Sequence, residues 1–238
     1  MIVKNINNYI KTLLNKPTKL EIFQPGIENF GIILKGKSIE KLPLISEKFN
    51  DCFIVNNFDK EIEIIGDYLL GKNIVHLSNR SFRTAPLKGI NYKRFGIKEI
   101  QFYKNSILWD KRSLYIIYLY NLLGLSTVFL PKMLLTNSGS IFGSKYEEKF
   151  PSTGLLAIYY ALEIIKPKNL YIVGLDFYQS DYLIRREWNT PIEIMRKKMS
   201  KTDCSGVVNN WIKNYQKVNF IFGTYFDGFK PQKNLKIF

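Results

Sequence analysis

Short apolar runs, each ending at small or polar residues, recur along the chain: GIIL before KGKS, CFIV before NNF, NIVHL before SNR, TVFL before PK, and LYIV before GLDFYQ. Such runs, with no polar alternation, suit strands buried on both faces. Helix-like stretches separate several of them, and strands alternating with helices predict a Rossmann-like, doubly wound, mainly parallel α/β sheet. Ligands bind such sheets beyond the carboxyl ends of the strands, so the polar tails of the runs are where function is sought. No repeat, low-complexity tract or Gly/Ser linker divides the 238 residues. They read as a single domain over 25–238, preceded by an amphipathic helix and linker over 1–24 in which Ile2, Ile6, Tyr9, Ile10, Leu13 and Leu14 keep helical spacing before Pro17. That segment has neither the continuous apolar core nor the small-residue cleavage site of a secretory signal. The uncharged stretch Ser113 to Leu130 has the length of a membrane span, but Asn121, Gly124, Ser126 and Thr127 interrupt it, and it reads as a buried helix followed by a strand.

GIILKGKS, from Gly31 to Ser38, fits the phosphate-loop pattern of Gly, four residues, Gly, Lys and Ser or Thr. The pattern needs its four variable residues to form a loop whose amides wrap phosphate. Here they are Ile32, Ile33, Leu34 and Lys35, which read as the strand itself. A P-loop NTPase or kinase is therefore the lesser reading of residues 31–38.

A net charge of +15 points toward anionic partners. Nucleic acid is disfavoured, because no zinc-finger, RNP or helix-turn-helix signature accompanies the charge. Lysine-rich solvation of the surface accounts for it equally well. The single histidine, His76, and the two cysteines, Cys52 and Cys204, are too few for a histidine pair or a structural zinc site. Asp-x-Asp, a frequent metal-pyrophosphate clamp in nucleotide-sugar transferases, is absent. The sequence thus predicts no metal and no cofactor, and the unpaired cysteines suit a reducing, cytoplasmic setting.

The clearest unit is PSTGLLAIYYALEIIKPKNLYIVGLDFYQSDY, Pro151 to Tyr182. Ser152 or Thr153 caps a helix carrying Leu155, Leu156, Tyr159, Leu162 and Ile165, Lys166-Pro167 ends it, and Leu170 to Val173 is a buried strand. The helix N-terminus then shares a sheet edge with Asp176, Tyr178 and Tyr182, and its amides suit an anion. With Asn56, Asn57, Asn79, Ser38, Ser152 and Thr153, that edge offers amides and hydroxyls able to hold a sugar and a departing phosphate without metal.

In this order the pieces resemble the bacterial sialyltransferases of glycosyltransferase family 42, and PSTG is similar to the small sialylmotif of family 29. GIILKGKSIEKLP resembles the first strand and its loop, DCFIVNNF the second strand with its asparagine, YLLGKNIVHLSNRSF the third, and STGLLAIYYALEIIKPKNLYIVGLDFYQSDY the donor-binding helix, strand and tyrosine pair. About 90 residues carry the resemblance, and Ile90 to Glu148 is not matched. The resemblance implies a glycosyltransferase A-like variant of the fold, with a small lid-like segment over about 180–201. It also implies metal-independent, inverting transfer from a CMP-activated sugar such as CMP-sialic acid to a glycan hydroxyl. Asn56 and Asn79 would line the donor pocket, Ser152, Thr153 and Gly154 would meet the donor sugar, and Tyr178 and Tyr182 would hold the leaving phosphate.

Two departures qualify this picture. The family's histidine base precedes a Ser-Lys pair and an Asp-bearing helix, and in RKKMSKTDCSG that position is Met199. An acidic residue such as Asp181, Glu187 or Asp203 would then serve as base, with Asp203 taken as the candidate beside Tyr178 and Tyr182. Otherwise the chain transfers another sugar, or is a catalytically silent nucleotide-sugar binder. His76 falls in the third strand and reads as a packed residue. Lys35-Gly36 replaces the family's Gly-Asn step and, with Ser38, Asn57 and Asp176, completes the expected donor-binding set. The partners expected are a nucleotide-sugar donor and a glycan acceptor, with peripheral attachment to the inner face of an anionic membrane; a homo-oligomer stays open.

Overall fold

The computed structural model describes residues 23–56, 58, 60–78, 94–97, 99–102, 126–129, 138–143, 151–184, 191–200 and 202–238. The expected N-terminal helix, Asn57, Asn79, Glu187 and most of Ile90 to Glu148 lie outside these residues, as does the side chain of Met199.

Among the described residues, eight strands form one sheet: β1 (Asn29–Ile33), β2 (Asp51–Val55), β3 (Asn73–Ser78), β4 (Glu99–Phe102), β5 (Ser126–Phe129), β6 (Asn169–Val173), β7 (Asn219–Gly223) and β8 (Leu235–Ile237). Their order is β5-β4-β3-β2-β1-β6-β7-β8, and every pairing is parallel. The five anticipated runs are all strands, and β4, β7 and β8 add three that the apolar pattern does not single out. The chain steps outward from β1 to β5, returns to the other side of β1 as β6, and steps outward again to β8. The switch point lies between β1 and β6, where a doubly wound sheet opens its crevice.

Successive strand residues are buried on alternate faces of the sheet and divide the core between them. Phe30, Ile32, Phe53 and Val55 pack with the Thr153–Ile165 helix and the later helices, while Ile33, Cys52 and Ile54 pack with Ile39, Leu42, Ile62 and Ile65. Phe23, Phe30, Phe53 and Tyr160 meet edge to face with centroids 5.0 to 5.6 Å apart. The opposite sheet edge fixes the register. Asn29, Asn169 and Asn219 stand in line across β1, β6 and β7, with Asn169 Nδ2 donating to Asn29 Oδ1 at 2.8 Å and Asn219 Nδ2 to Asn169 Oδ1 at 2.9 Å.

The described α-helices are α1 (Glu61–Ile65), α2 (Ser138–Phe142), α3 (Thr153–Tyr160), α4 (Ile192–Ser200) and α5 (Cys204–Asn214). α3 continues as a π-helical turn over Ala161–Ile165, ending at Lys166 in the left-handed conformation. Ser152 caps α3, its hydroxyl accepting from the Leu155 amide at 3.2 Å. All eight α3 residues are buried, so the helix is wedged among neighbours on every side and has no solvent face. Among the described residues no helix is long and apolar enough to cross a membrane.

Candidate functional site

At the switch point a cleft opens between the ends of β1, β2 and β6, the start of α3 and the segment leading into α4. Leu34, Lys35, Gly36, Val55 and Asn56 line one side, Ser152 to Leu155 form the helix start, and Gly174 to Tyr178 with Ser180 to Tyr182 form the other side. Ile192 and Cys204 complete the wall.

The loop after β1 and the loop after β6 approach so closely that glycine is required in both. A Cβ on Gly174, whose φ is +78°, would stand 2.4 Å from the Leu34 carbonyl oxygen. One on Gly36 would stand 2.6 Å from an Asp176 carboxylate oxygen. The amides of Leu34, Gly36, Lys37 and Ser38 are consumed by this contact. Leu34 N donates to Val173 O at 2.9 Å, Gly36 N to Gly174 O at 3.0 Å, Lys37 N to Asp181 O at 2.9 Å, and Ser38 N to Asp176 Oδ2 at 3.0 Å. A phosphate-wrapping loop needs those donors free, and Gly31 to Ile33 are strand. The P-loop reading therefore fails on geometry.

Asp176 is buried and ties two distant segments to its own turn. It accepts from the Ser38 amide and hydroxyl, the Ser180 hydroxyl, Thr224 Oγ1 at 3.0 Å and the Tyr225 amide at 3.0 Å. Burial pushes its pKa up, but the hydrogen bonds from Ser180, Ser38 and Tyr225 outweigh burial and hold the carboxyl below its ordinary value. Its oxygens are therefore committed to holding the cleft's back wall, together with fully buried Ser38. Ser38, expected as a donor-binding residue, lies outside the cleft lining, behind the groups that a ligand would meet.

In front of that wall, Asn56 follows β2 in a left-handed conformation, φ 66°. Its amide donates to Leu77 O at 2.9 Å, and its carbonyl accepts from His76 Nε2 at 2.5 Å. Its side-chain Oδ1 is buried with no hydrogen-bond partner. A buried orphan acceptor costs about 1–3 kcal/mol, and a polar ligand in the cleft would relieve it. His76 is buried, and burial, against the opposing bond to Asn56, lowers its pKa to about 4. It is thus a neutral strand residue engaged with the Asn56 carbonyl, as the sequence reading has it.

Phe177 and Tyr178 both take positive φ, 44° and 64°, a strained pair for residues with side chains. Phe177 packs on Phe226 and Phe229, with centroids 4.6 and 6.0 Å away. The Tyr178 and Tyr182 rings meet edge to face at 6.3 Å. Burial raises both pKa values, so both are neutral hydroxyls at physiological pH. Lys35 reaches the cleft with its ammonium 3.9 Å from fully buried Glu61.

Lys35, Gly36, Asn56, Ser152, Thr153, Gly154, Asp176, Tyr178 and Tyr182 thus line one cleft. Asp203 does not: it caps α5, its carboxylate accepting from the Gly206 amide at 3.1 Å, and the lining residue there is Cys204. Burial raises the Cys204 thiol to about 11, which keeps it protonated. Among the described residues no group of three His, Cys, Asp or Glu side chains could hold a metal ion. Sequence reasoning missed Ile192, Cys204 and the contacts of Arg196, which depend on how the segment after β6 folds back.

No family model and no curated protein matches the chain. Among solved structures it resembles the sialyltransferase CstII from Campylobacter jejuni in complex with a substrate analogue, cytidine-5'-monophosphate. The TM-score is 0.50 at 16% identity, covering 84% of this chain and 82% of that one. A second match is a Tyr-to-Phe variant of sialyltransferase Cst-II in complex with CMP, with TM-score 0.48 and 18% identity over 86% and 87%. The chain has a sialyltransferase-like α/β fold.

Proposed function

We propose that the chain is a glycosyltransferase that moves a sugar from a CMP-activated donor, CMP-sialic acid in the leading case, to a glycan hydroxyl. The observation that carries this reading is the neutral Tyr178–Tyr182 pair facing the α3 N-terminus across the switch point, with the orphan Asn56 Oδ1 between the two strand ends. Two phenolic hydroxyls and a helix N-terminus neutralise a departing phosphate by hydrogen bonds, and this is the basis for a metal-independent reading. The fold likeness is to a sialyltransferase bound to CMP.

In an inverting step the acceptor oxygen bonds to the anomeric carbon as the bond to phosphate breaks, and CMP leaves with the electron pair. The acceptor proton needs a base. Asp181 is the acidic cleft residue whose carboxylate is not locked into the back wall: its Oδ1 takes only the Tyr182 amide, at 2.8 Å, among the bonds that fix this loop. We assign it the role that Met199 cannot perform. The rival reading, a silent nucleotide-sugar binder, has Met199 as its best evidence. The segment over about 180–201 is read as a lid on the acceptor side.

Thermal shift with CMP, CDP, UDP and ATP, with and without magnesium, tests the reading. CMP at a hundredfold over its Kd stabilises by about 2.7 kcal/mol, a rise of roughly 5–10 °C for a domain of this size. A response to ATP with magnesium and none to CMP would sink it. Transfer or hydrolysis of CMP-sialic acid by the wild type, lost in Asp181→Asn, separates enzyme from silent binder, and a rise in Met199→His tests the assignment of that position.

A further inference from the structure

The strained tyrosine turn does not hold itself in place. Gln179 N donates to Asp176 O at 2.8 Å and closes the turn from within. From outside, Arg196 of α4 spans two successive carbonyls, its Nε donating to Tyr178 O and its Nη2 to Gln179 O at 2.6 Å. A planar, permanently charged fork suits two adjacent acceptors as a single ammonium does not. The same helix sends Ile192 into the cleft wall four residues earlier. The helix that borders the cleft is therefore fastened to the backbone that aims Tyr178.

We propose that Arg196 is a positioning residue: its guanidinium clamps the Tyr178 and Gln179 carbonyls, fixes the direction of the Tyr178 hydroxyl, and makes the seating of α4 and the binding of a nucleotide phosphate mutually dependent. This rests on the CMP-donor reading for its ligand, but the clamp itself does not. Arg196 is exposed and lies outside the cleft lining, so it acts through Tyr178 and not by touching the ligand. Donor binding slows exchange of α4 amides, and a loosened α4 weakens donor binding by the same factor, since coupling between two equilibria is reciprocal.

The test uses the full chain, CMP as probe, and the variants Arg196→Ala, Arg196→Lys, Tyr178→Phe and the double variant Arg196→Ala/Tyr178→Phe. Calorimetric CMP affinity should fall about tenfold in Arg196→Ala, the scale of a slightly misaimed binding group. Arg196→Lys should stay close to Arg196→Ala, because one ammonium cannot span both carbonyls. In the Tyr178→Phe background, removing Arg196 should change affinity less than about twofold, the non-additivity expected of residues acting as a unit. Additive losses would show that Arg196 meets the ligand directly and overturn the proposal, as would full affinity in Arg196→Lys. Hydrogen exchange at the Gln179 amide in the ligand-free protein reads the clamp independently and should quicken in Arg196→Ala. If the wild type binds no CMP, the donor reading fails while this exchange still decides the clamp; unchanged exchange would refute it.

Discussion

Replacing Asp176 by Asn changes one atom and should be among the most damaging conservative substitutions in the chain. Oδ2 takes the Ser38 amide and the Ser180 hydroxyl; Oδ1 takes the Ser38 and Thr224 hydroxyls and the Tyr225 amide. The three hydroxyls can rotate to accept, but the two amides cannot. Whichever oxygen becomes NH2, one backbone N–H then faces another donor in a buried site, so flipping the side chain offers no escape. A buried N–H without an acceptor costs about 1–3 kcal/mol, and losing the charge from the remaining bonds adds about 1 kcal/mol or more. The sum, about 3 kcal/mol, lowers the melting temperature by roughly 6–12 °C in a domain of this size. The effect also has a pH signature. The folded-state pKa lies below the ordinary 3.8, so this stabilisation is fully present above that value and fades as pH falls through the folded-state pKa. Differential scanning fluorimetry of wild type and Asp176→Asn should show a constant gap from about pH 7 to pH 4.5, closing only below 3.8. A variant within about 0.5 kcal/mol of wild type, smaller than one net hydrogen bond, would refute the view of Asp176 as the tie between three segments.

Other residues carry equally direct expectations. His76, with its pKa lowered from 6.5 to about 4, binds its proton less readily folded than unfolded. Stability should therefore fall by about 3 kcal/mol as pH drops across that window, and His76→Gln should flatten the profile measured by urea unfolding. Asn56→Gly keeps the left-handed backbone, φ 66°, while deleting the orphan amide, so melting temperature should hold while CMP affinity drops about tenfold by calorimetry. Gly174→Ala drives a Cβ to 2.4 Å from a backbone oxygen at φ +78° and should cost more than about 3 kcal/mol in denaturant titration. Gly71→Ala, at φ +75° but with nothing within 4 Å, should cost only about 1 kcal/mol by the same titration.

The β1, β2, β3, β5 and β6 strands were legible because buried parallel strands leave uninterrupted apolar runs, and the Ser152 cap was legible because capping is a local preference. β7 was not. Its Asn219 to Gly223 follows a lysine-rich stretch and carries only three apolar residues, and its place beside β6 is fixed by pairing with Asn169 to Val173, far away in sequence. The cleft divides in the same way. Tyr178, Tyr182 and the α3 N-terminus could be placed on one edge because a single helix-strand unit carries them all. The role of Asp176 could not, because its donors Ser38, Thr224 and Tyr225 lie 138, 48 and 49 residues away. Asp203 shows the reverse: expected as the candidate base from its place in the chain, it is consumed as the cap of α5, a local use open to any exposed Asp before a helix.

On the proposed reading, the two glycine-bearing loops favour a nucleoside monophosphate donor over a triphosphate at this sheet edge. A triphosphate loop offers a run of consecutive free amides after the first strand. Here Leu34, Gly36, Lys37 and Ser38 spend theirs on β6 and the residues after it. This leaves α3, whose Gly154 amide sits at the second helical position without an intrahelical partner, as the helix start facing the cleft. One helix start and two neutral phenols match the charge of one phosphate group. Lys35, held 3.9 Å from Glu61, is partly neutralised by its own buried partner and adds little net field for more. What GIILKGKS gives up as an anion loop it supplies as a hydrogen-bonded wall beside Asn56, the α3 start and the Tyr178 turn.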